Sequence, residues 1–455
     1  MLAKIFSAAI VGLKARTIEI EAETSYGLPK FTIVGLPDKA VEEARERVSA
    51  AIKSIGLRAP GQDPLKVLVS LAPADLKKEG SLYDLPIALA FLTASGQLCF
   101  DATKRLFAGE LALDGTLRPI KGALSFAQLA REKHFSEIIL PEVNAKESAI
   151  IGGVKTIGVR SLKEAIDHLI GRKTILPTHV NIEDLISNES YQVDISWIKG
   201  QSYAKRALQI SAAGNHNMMM QGPPGTGKTL LAQALPSILP PLSFEEALEV
   251  TNIYSIAGLL PEDRPLITNR PFRNPHHTAS ESALIGGGNP PRPGEITLAH
   301  RGVLFMDEFP EFHRDVLESL RQPLEEGQIT ILRSRYRIQL PSRFTLIAAS
   351  NPCPCGYYRD PERQCSCTPS EVAKYRRKLS GPLMDRFDLF IQVPQIKSEE
   401  LLAENRDILK TTKEGEEIRT AVAKARMIQQ ERFKKEGILT NSEMTLSQIE
   451  KYCLI

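Results

Sequence analysis

The sequence predicts an α/β protein of more than one domain, and three observations carry that prediction. Residues 1–170 alternate short β-type runs with amphipathic helical stretches. The same alternation resumes over 195–395, where a G-x-x-x-x-G-K-[ST] segment sits between an apolar strand and a helix start. Two more apolar runs in that half end in polar residues, as buried parallel strands with functional groups at their carboxyl ends do. The length of 455 residues, about three times the common domain size, agrees with two or three domains.

Composition excludes several classes. With 42% hydrophobic and 24% charged residues, the chain can bury real cores and is not largely disordered. Its 57 basic and 54 acidic residues leave a formal charge of +3, so any basic surface must be local. No stretch reaches the ~18 apolar residues of a membrane span. The N-terminal stretch carries Lys14 and Arg16 after a short apolar run, with no small-residue cleavage pattern, and reads as mature structure. Four of the six cysteines crowd between 353 and 367, whereas a secreted disulfide framework would spread them; a reducing cytoplasm is expected.

Taken in order, the first domain is expected over 1–170, with strands in IFSAAIVG, RTIEIEAE, KFTIVG and KVLVSLA. Its clearest helix is DKAVEEARERVSAAIKSIG, where Val41, Ala44, Val48, Ala51 and Ile52 recur at helical spacing. Asp38 is the expected N-cap and Gly56 the stop. Residues 171–194 lose periodicity, gain Pro, Asn and Ser, and read as a linker. The second domain is expected over 195–395, and a Lys/Glu/Leu-rich helical segment over 396–455.

The strongest chemical signal is Gly222-Pro223-Pro224-Gly225-Thr226-Gly227-Lys228-Thr229. MMM before it ends a strand and LLAQAL after it begins a helix, so the glycines form a loop whose N–H groups wrap phosphates. Lys228 is placed to neutralise the β- and γ-phosphates of a nucleoside triphosphate, and the Thr229 hydroxyl to ligate Mg²⁺. In Gly302-Val-Leu-Phe-Met-Asp307-Glu308, four apolar residues deliver two acids to a strand end. Asp307 is expected to hold hydrated Mg²⁺ and Glu308 to polarise the attacking water. The run from Phe344 ends at Asn351, either a hydrogen-bond donor to the γ-phosphate or water, or a turn residue before Pro352. Arg386, in Gly381-Pro-Leu-Met-Asp-Arg-Phe-Asp388, is either an arginine finger reaching a neighbour's site or a surface ion pair.

Two further clusters stand out. Cys353-Pro-Cys355 and Cys365-Ser-Cys367 can close a tetrahedral Zn²⁺ site, or remain reduced thiols in a loop. GQITILRSRYRIQLPS reads as a hairpin carrying Arg333, Arg335 and Arg337 at i, i+2 and i+4, spacing that would align them on one strand face. That stripe is either a nucleic-acid backbone contact or a charged edge strand. His276, His277, His300 and His313 read as polar partners or loop residues.

The four nucleotide-site elements in this order resemble the AAA+ ATPases. NPHHTASESALIGGG, PRPGEITLAHRGVLFMDE, LRQPLEEGQITI and NPCPCGYYRDP narrow the resemblance to magnesium chelatase-like proteins of the ComM/YifB competence family. VLVSLAPADLKKEGSLYDLPIALAFL, FAGELALDGTLRPIKGAL and IILPEVN resemble the proteolytic domain of Lon-type proteases. The resemblance implies a Lon-protease-like α/β domain, a P-loop AAA+ domain with a parallel sheet, and a partial C-terminal helical lid. At the positions of the Lon Ser–Lys dyad stand Leu82 and Leu124, which can neither attack a carbonyl nor accept a proton, so no proteolysis is expected. Ser81 and Lys121 stand nearby.

The resemblance further implies ATP and Mg²⁺ as ligands and a cytoplasmic hexameric ring. It implies helicase or branch-migration work on single-stranded or branched DNA in natural transformation, and no membrane. The lid reads as incomplete, with no second-sensor arginine helix after Ser442, which puts the efficiency of hydrolysis in question. Two alternatives stand beside the DNA motor: a chelatase-type ATPase remodelling a protein partner, and a truncated, non-hydrolysing nucleotide-binding scaffold. Lys228→Ala is expected to abolish ATP binding by removing the phosphate counter-charge; unchanged affinity in equilibrium titration would remove the phosphate-loop assignment.

Overall fold

A computed structural model describes residues 2–186, 191–288, 291–333, 336–361, 363–379, 381–395 and 408–453. The chain forms two compact units, Met1–Ser187 with Thr251–Ile267, and Asn188–Val250 with Thr268–Ile455. No helix among the described residues is long and apolar enough to cross a membrane.

The first unit is built on strands β1 (Leu2–Val11), β2 (Lys14–Tyr26), β3 (Lys30–Val34), β4 (Leu65–Ala72) and β5 (Arg105–Phe107). A small hairpin, β6 (Glu110–Leu111) and β7 (Leu117–Arg118), precedes β8 (Glu137–Pro141) and β9 (Lys155–Val159). The main sheet runs β3-β4-β2-β1-β5-β8-β9. β2 shows why IEIEAE is a strand: Ile18, Ile20 and Ala22 are buried at alternate positions, with glutamates between them on the other face. The helix Ala44–Ser54 buries Ala44, Val48, Ala51 and Ile52. The expected single helix is broken at Glu43: Asp38 caps a separate short helix, Lys39–Glu42, which holds Val41, by accepting from Val41 N at 2.8 Å. The helix Asp84–Ala94 is apolar all round and buried along nearly its whole length, so it forms the centre of the core.

Thr251–Ile267 lies far along the sequence yet belongs to this unit. Its side chains supply the bonds that hold it there. Asn252 Nδ2 donates to Leu13 O at 2.9 Å and its Oδ1 accepts from Ser125 Oγ at 2.6 Å. Ser255 Oγ accepts from Gly122 N at 3.0 Å and donates to the Glu147 carboxylate. Burial pushes the Glu147 pKa up, against the pull of Ser255, the Leu124 N–H and Asn144. The expected linker contains a short helix, Ile182–Ile186.

The second unit is organised by a parallel sheet. Its strands are β10 (Met218–Gln221), β11 (Phe272–Arg273), β14 (Val303–Met306), β17 (Thr345–Ser350) and β18 (Leu389–Gln392), in the order β11-β14-β17-β10-β18. All of Val303–Met306 and of Thr345–Ser350 are buried. Strands covered on both faces need continuous apolar runs rather than alternation, which is how VLFM and TLIAAS read. Between them lie a two-residue pair, β12 (Gly286–Gly287) with β13 (Arg292–Pro293), and a hairpin, β15 (Gln328–Arg333) with β16 (Tyr336–Pro341).

The hairpin is as expected, but the arginine stripe is not. Leu332 pairs with Arg337 and Arg333 with Tyr336, so the chain reverses between them and Arg333 and Arg337 stand on different strands. The i, i+2, i+4 rule assumed one uninterrupted strand. Arg335 lies outside the described residues, and Arg337 is exposed.

Beyond β18, helices Ile408–Phe433 and Leu446–Tyr452 realise the expected helical character. The first is tied to the helix Ser202–Gly214 through Lys205–Glu414 at 2.8 Å and Gln429 Nε2 to Ala213 O at 2.8 Å.

In the first unit, Asp84 is completely buried and takes bonds from Arg47 Nε at 2.7 Å, Arg47 Nη2 at 3.0 Å and Leu111 N at 3.2 Å. Burial raises its pKa to about 6 despite the guanidinium. Arg47→Met strands this carboxylate without its cation, and the expected loss is about 3 kcal/mol in guanidinium unfolding of the full chain. An unshifted midpoint would show that the pair contributes nothing.

Candidate nucleotide-binding site

Three strand ends meet at the carboxyl edge of the parallel sheet. β10 pairs with β17 (Met220 with Ala349, Gln221 with Ser350) and β17 with β14 (Met306 with Ala348). Gly222, Asn351 and Asp307 therefore emerge side by side, where open α/β sheets bind ligands.

The glycine-rich loop turns here because its backbone must take conformations that side chains oppose. Gly225 and Gly227 have φ of +78° and +84°. At Gly222 the limit is space: an added Cβ would lie 2.3 Å from the Val393 carbonyl oxygen. Lys228 opens the helix Lys228–Ala234 and is buried, with Nζ donating to Gly222 O at 2.7 Å, Pro223 O at 2.8 Å and Asn351 Oδ1 at 3.3 Å. Burial lowers its pKa, and the Asp307 carboxylate partly offsets that. Thr226 Oγ1 donates to Pro223 O at 3.0 Å, bracing the loop from within.

Thr229 Oγ1 donates to Asp307 Oδ2 at 2.8 Å, while Asp307 Oδ1 accepts from Glu308 N at 2.9 Å. A hydroxyl and a carboxylate oxygen in contact form an oxygen donor set suited to Mg²⁺. Glu308 is exposed and has φ of +50°, a left-handed conformation unusual outside glycine and concentrated at functional sites. Its Oε2 lies 3.2 Å from His277 Nδ1, and the His277 ring lies tilted against His276 with centroids 4.2 Å apart. Sequence reasoning identified His277 only as a polar partner or loop residue. No local pattern announces a contact across two loops.

Two family models match the chain: "Magnesium chelatase, subunit ChlI" over residues 194–401 and "Subunit ChlI of Mg-chelatase" over 20–144. The competence protein ComM of Haemophilus influenzae is 42% identical over 99% of this chain and 86% of its own length. The chain belongs to the magnesium chelatase-like ComM/YifB family. YifB of Escherichia coli is 41% identical over 99% of this chain and 85% of its own length. The 38 kDa magnesium-chelatase subunit of Rhodobacter capsulatus is more distant, at 26% over 34% of this chain and 49% of its own length. ComM/YifB membership makes the second unit AAA+ ATPase-like and calls for ATP and Mg²⁺, which suits the loop and the Thr229–Asp307 pair.

The remaining site residues of this ComM/YifB chain fall in separate places. Arg386 precedes β18, and its carbonyl accepts from Asn217 Nδ2 at 3.0 Å, at the amino end of β10. That is the far end of the strand from Gly222. Arg386 Nη2 pairs with Glu325, and its Nε is buried without a hydrogen-bond partner. In the first unit Ser81 Oγ donates to the Glu110 carboxylate, and Leu124 is completely buried.

The four cysteines do converge. Their Sγ atoms all lie within 4.8 Å of one another, and none is in a disulfide. Cys353–Cys365 and Cys355–Cys365 are 3.7 and 3.6 Å apart, and Cys353–Cys355 3.3 Å. A tetrahedron with Zn–S of about 2.3 Å has edges of about 3.8 Å, so the cluster fits this ion. The Tyr357 N–H above all, then that of Ser366, draws the Cys355 thiol down to about 5.

Asp307→Asn should raise the Mg²⁺ concentration needed for tight ATP binding by on the order of tenfold, while metal-free affinity stays unchanged. A Mg²⁺ titration identical to wild type would take Asp307 out of the metal site.

Proposed function

We propose that this chain is the ATPase subunit of a ring-shaped, hexameric motor that acts on single-stranded or branched DNA during transformation and recombination. The observation that carries the ATPase part is the Thr229–Asp307 bond with Glu308 beside it, at the mouth of a loop holding a buried Lys228. The DNA part is supported by the likeness to a competence protein.

In this reading Lys228 turns its ammonium from loop carbonyls to the β- and γ-phosphates, and the loop N–H groups hold the remaining oxygens. Thr229 and Asp307 would hold Mg²⁺, which neutralises phosphate charge when bound. Glu308 accepts a proton from the attacking water, and Asn351 donates its amide to the γ-phosphate or to that water. Arg386, anchored at the amino edge of the sheet, serves the site of the adjoining subunit. Arg333 and Arg337, from the two strands β15 and β16, contact DNA phosphates together with Arg335. Cys353, Cys355, Cys365 and Cys367 hold one structural Zn²⁺.

ATP hydrolysis measured with and without a branched duplex tests the whole reading. Strong stimulation by the junction is expected. Stimulation by a protein partner alone would instead favour a chelatase-type remodeller, and no phosphate release at all a non-hydrolysing scaffold.

Glu308→Gln should bind ATP without turning it over, and Arg386→Ala should bind ATP with turnover reduced about a thousandfold. Mixed rings of the two variants should regain activity wherever an intact Glu308 meets an intact Arg386. Full activity of Arg386→Ala as a dilute monomer would refute the shared site. Metal analysis should find one zinc per chain, lost when Cys353 and Cys355 become serine.

A further inference from the structure

The peptide from Asn351 to Tyr375 leaves the carboxyl end of β17 and returns to it. At its start, the Asn351 side chain takes the bond from Lys228. At its end, Tyr375, on the helix Pro369–Arg376, is buried, and its pKa, pushed up mainly by burial, is drawn partly back by the Asn351 backbone. The four cysteines lie between these anchors. Gly356 closes the first cysteine turn, its N–H on Cys353 O at 3.0 Å.

Gly356 also touches the phosphate-binding loop. It is buried with φ of +87°, and an added Cβ would lie 2.6 Å from Cδ and 2.8 Å from Cγ of Pro224. Only a residue without a side chain brings the cysteine turn this close to the Pro224 ring. The turn is thus a wall of the nucleotide loop, and whatever holds the turn holds that wall.

Four thiols within 4.8 Å do not hold one another; a divalent ion bound by four thiolates does. We propose that Zn²⁺ at this cluster sets the position of the phosphate-binding loop through the Gly356–Pro224 contact, so that ATP affinity depends on a metal outside the catalytic centre. This rests on the zinc assignment above. Removing the ion frees Cys353–Cys355 from Cys365–Cys367, lets Gly356 withdraw from Pro224, and leaves the loop less ordered for phosphate. The chain's own residues carry the coupling, since Gly356 and Pro224 bind neither metal.

The test measures ATP dissociation constants on the full chain with a fluorescent analogue, and zinc by atomic emission on the same samples. Gly356→Ala should keep one zinc per chain and bind ATP about tenfold more weakly. In a Pro224→Ala background the Cδ and Cγ atoms and their clash are gone, so the same change should cost less than about threefold; the strain at φ, common to both backgrounds, cancels in the comparison. Cys365→Ser, verified as folded by circular dichroism, should lose zinc and about tenfold in affinity. Equal losses from Gly356→Ala in the two backgrounds, or wild-type affinity in the zinc-free variant, would overturn the coupling while the zinc assignment stands. A folded wild-type chain without zinc would overturn the assignment itself.

Discussion

Parallel pairing of Met220 with Ala349 and of Met306 with Ala348 brings three strand ends level, and the geometry of the nucleotide site follows from that alignment. A shift of one residue in β14 would reverse the facing of Asp307 relative to Thr229 and separate the 2.8 Å pair. The alignment is enforced by burial. Every residue of β14 and β17 is enclosed, so any slip would carry the polar residues at their ends into an apolar layer. Core packing therefore sets the positions of the polar groups.

Electrostatics then makes the site receptive. Lys228 is buried with its three donors turned onto two loop carbonyls and Asn351, while its charge is poorly solvated. Neutral acceptors satisfy its hydrogen bonds and Asp307 only partly offsets the burial of its charge, so a triphosphate gives this cation a stronger partner. Glu308 shows the complementary device. Its left-handed backbone aims an exposed carboxylate across to His277, at an energetic cost that the buried Phe309 next to it helps to hold.

Packing also links the segment of Arg386 to the turn that follows the two acids. Phe387 lies edge-on against Phe309 with centroids 5.6 Å apart, so the residue after the arginine touches the residue after Glu308. The contact joins two buried aromatic rings.

Much of this was legible in the sequence, for identifiable reasons. Glycine spacing, the apolar runs ending at Asp307 and Asn351, and the helical period of Val41 to Ile52 are local patterns, and each predicted its element because backbone conformation and burial act locally. The four cysteines too were readable as a cluster from spacing alone. Tertiary structure decided what depends on partners distant in sequence. It placed Thr251–Ile267 in the first unit through Asn252 and Ser255, whose acceptors and donors lie more than a hundred residues away. It put Arg333 and Arg337 on two antiparallel strands, whereas residue counting assumes one uninterrupted strand. It set His277 against Glu308 and Gly356 against Pro224, contacts made by loops whose paths are governed by the packing beneath them. Local chemistry thus specified which groups the site would contain, and long-range packing specified which of them would meet.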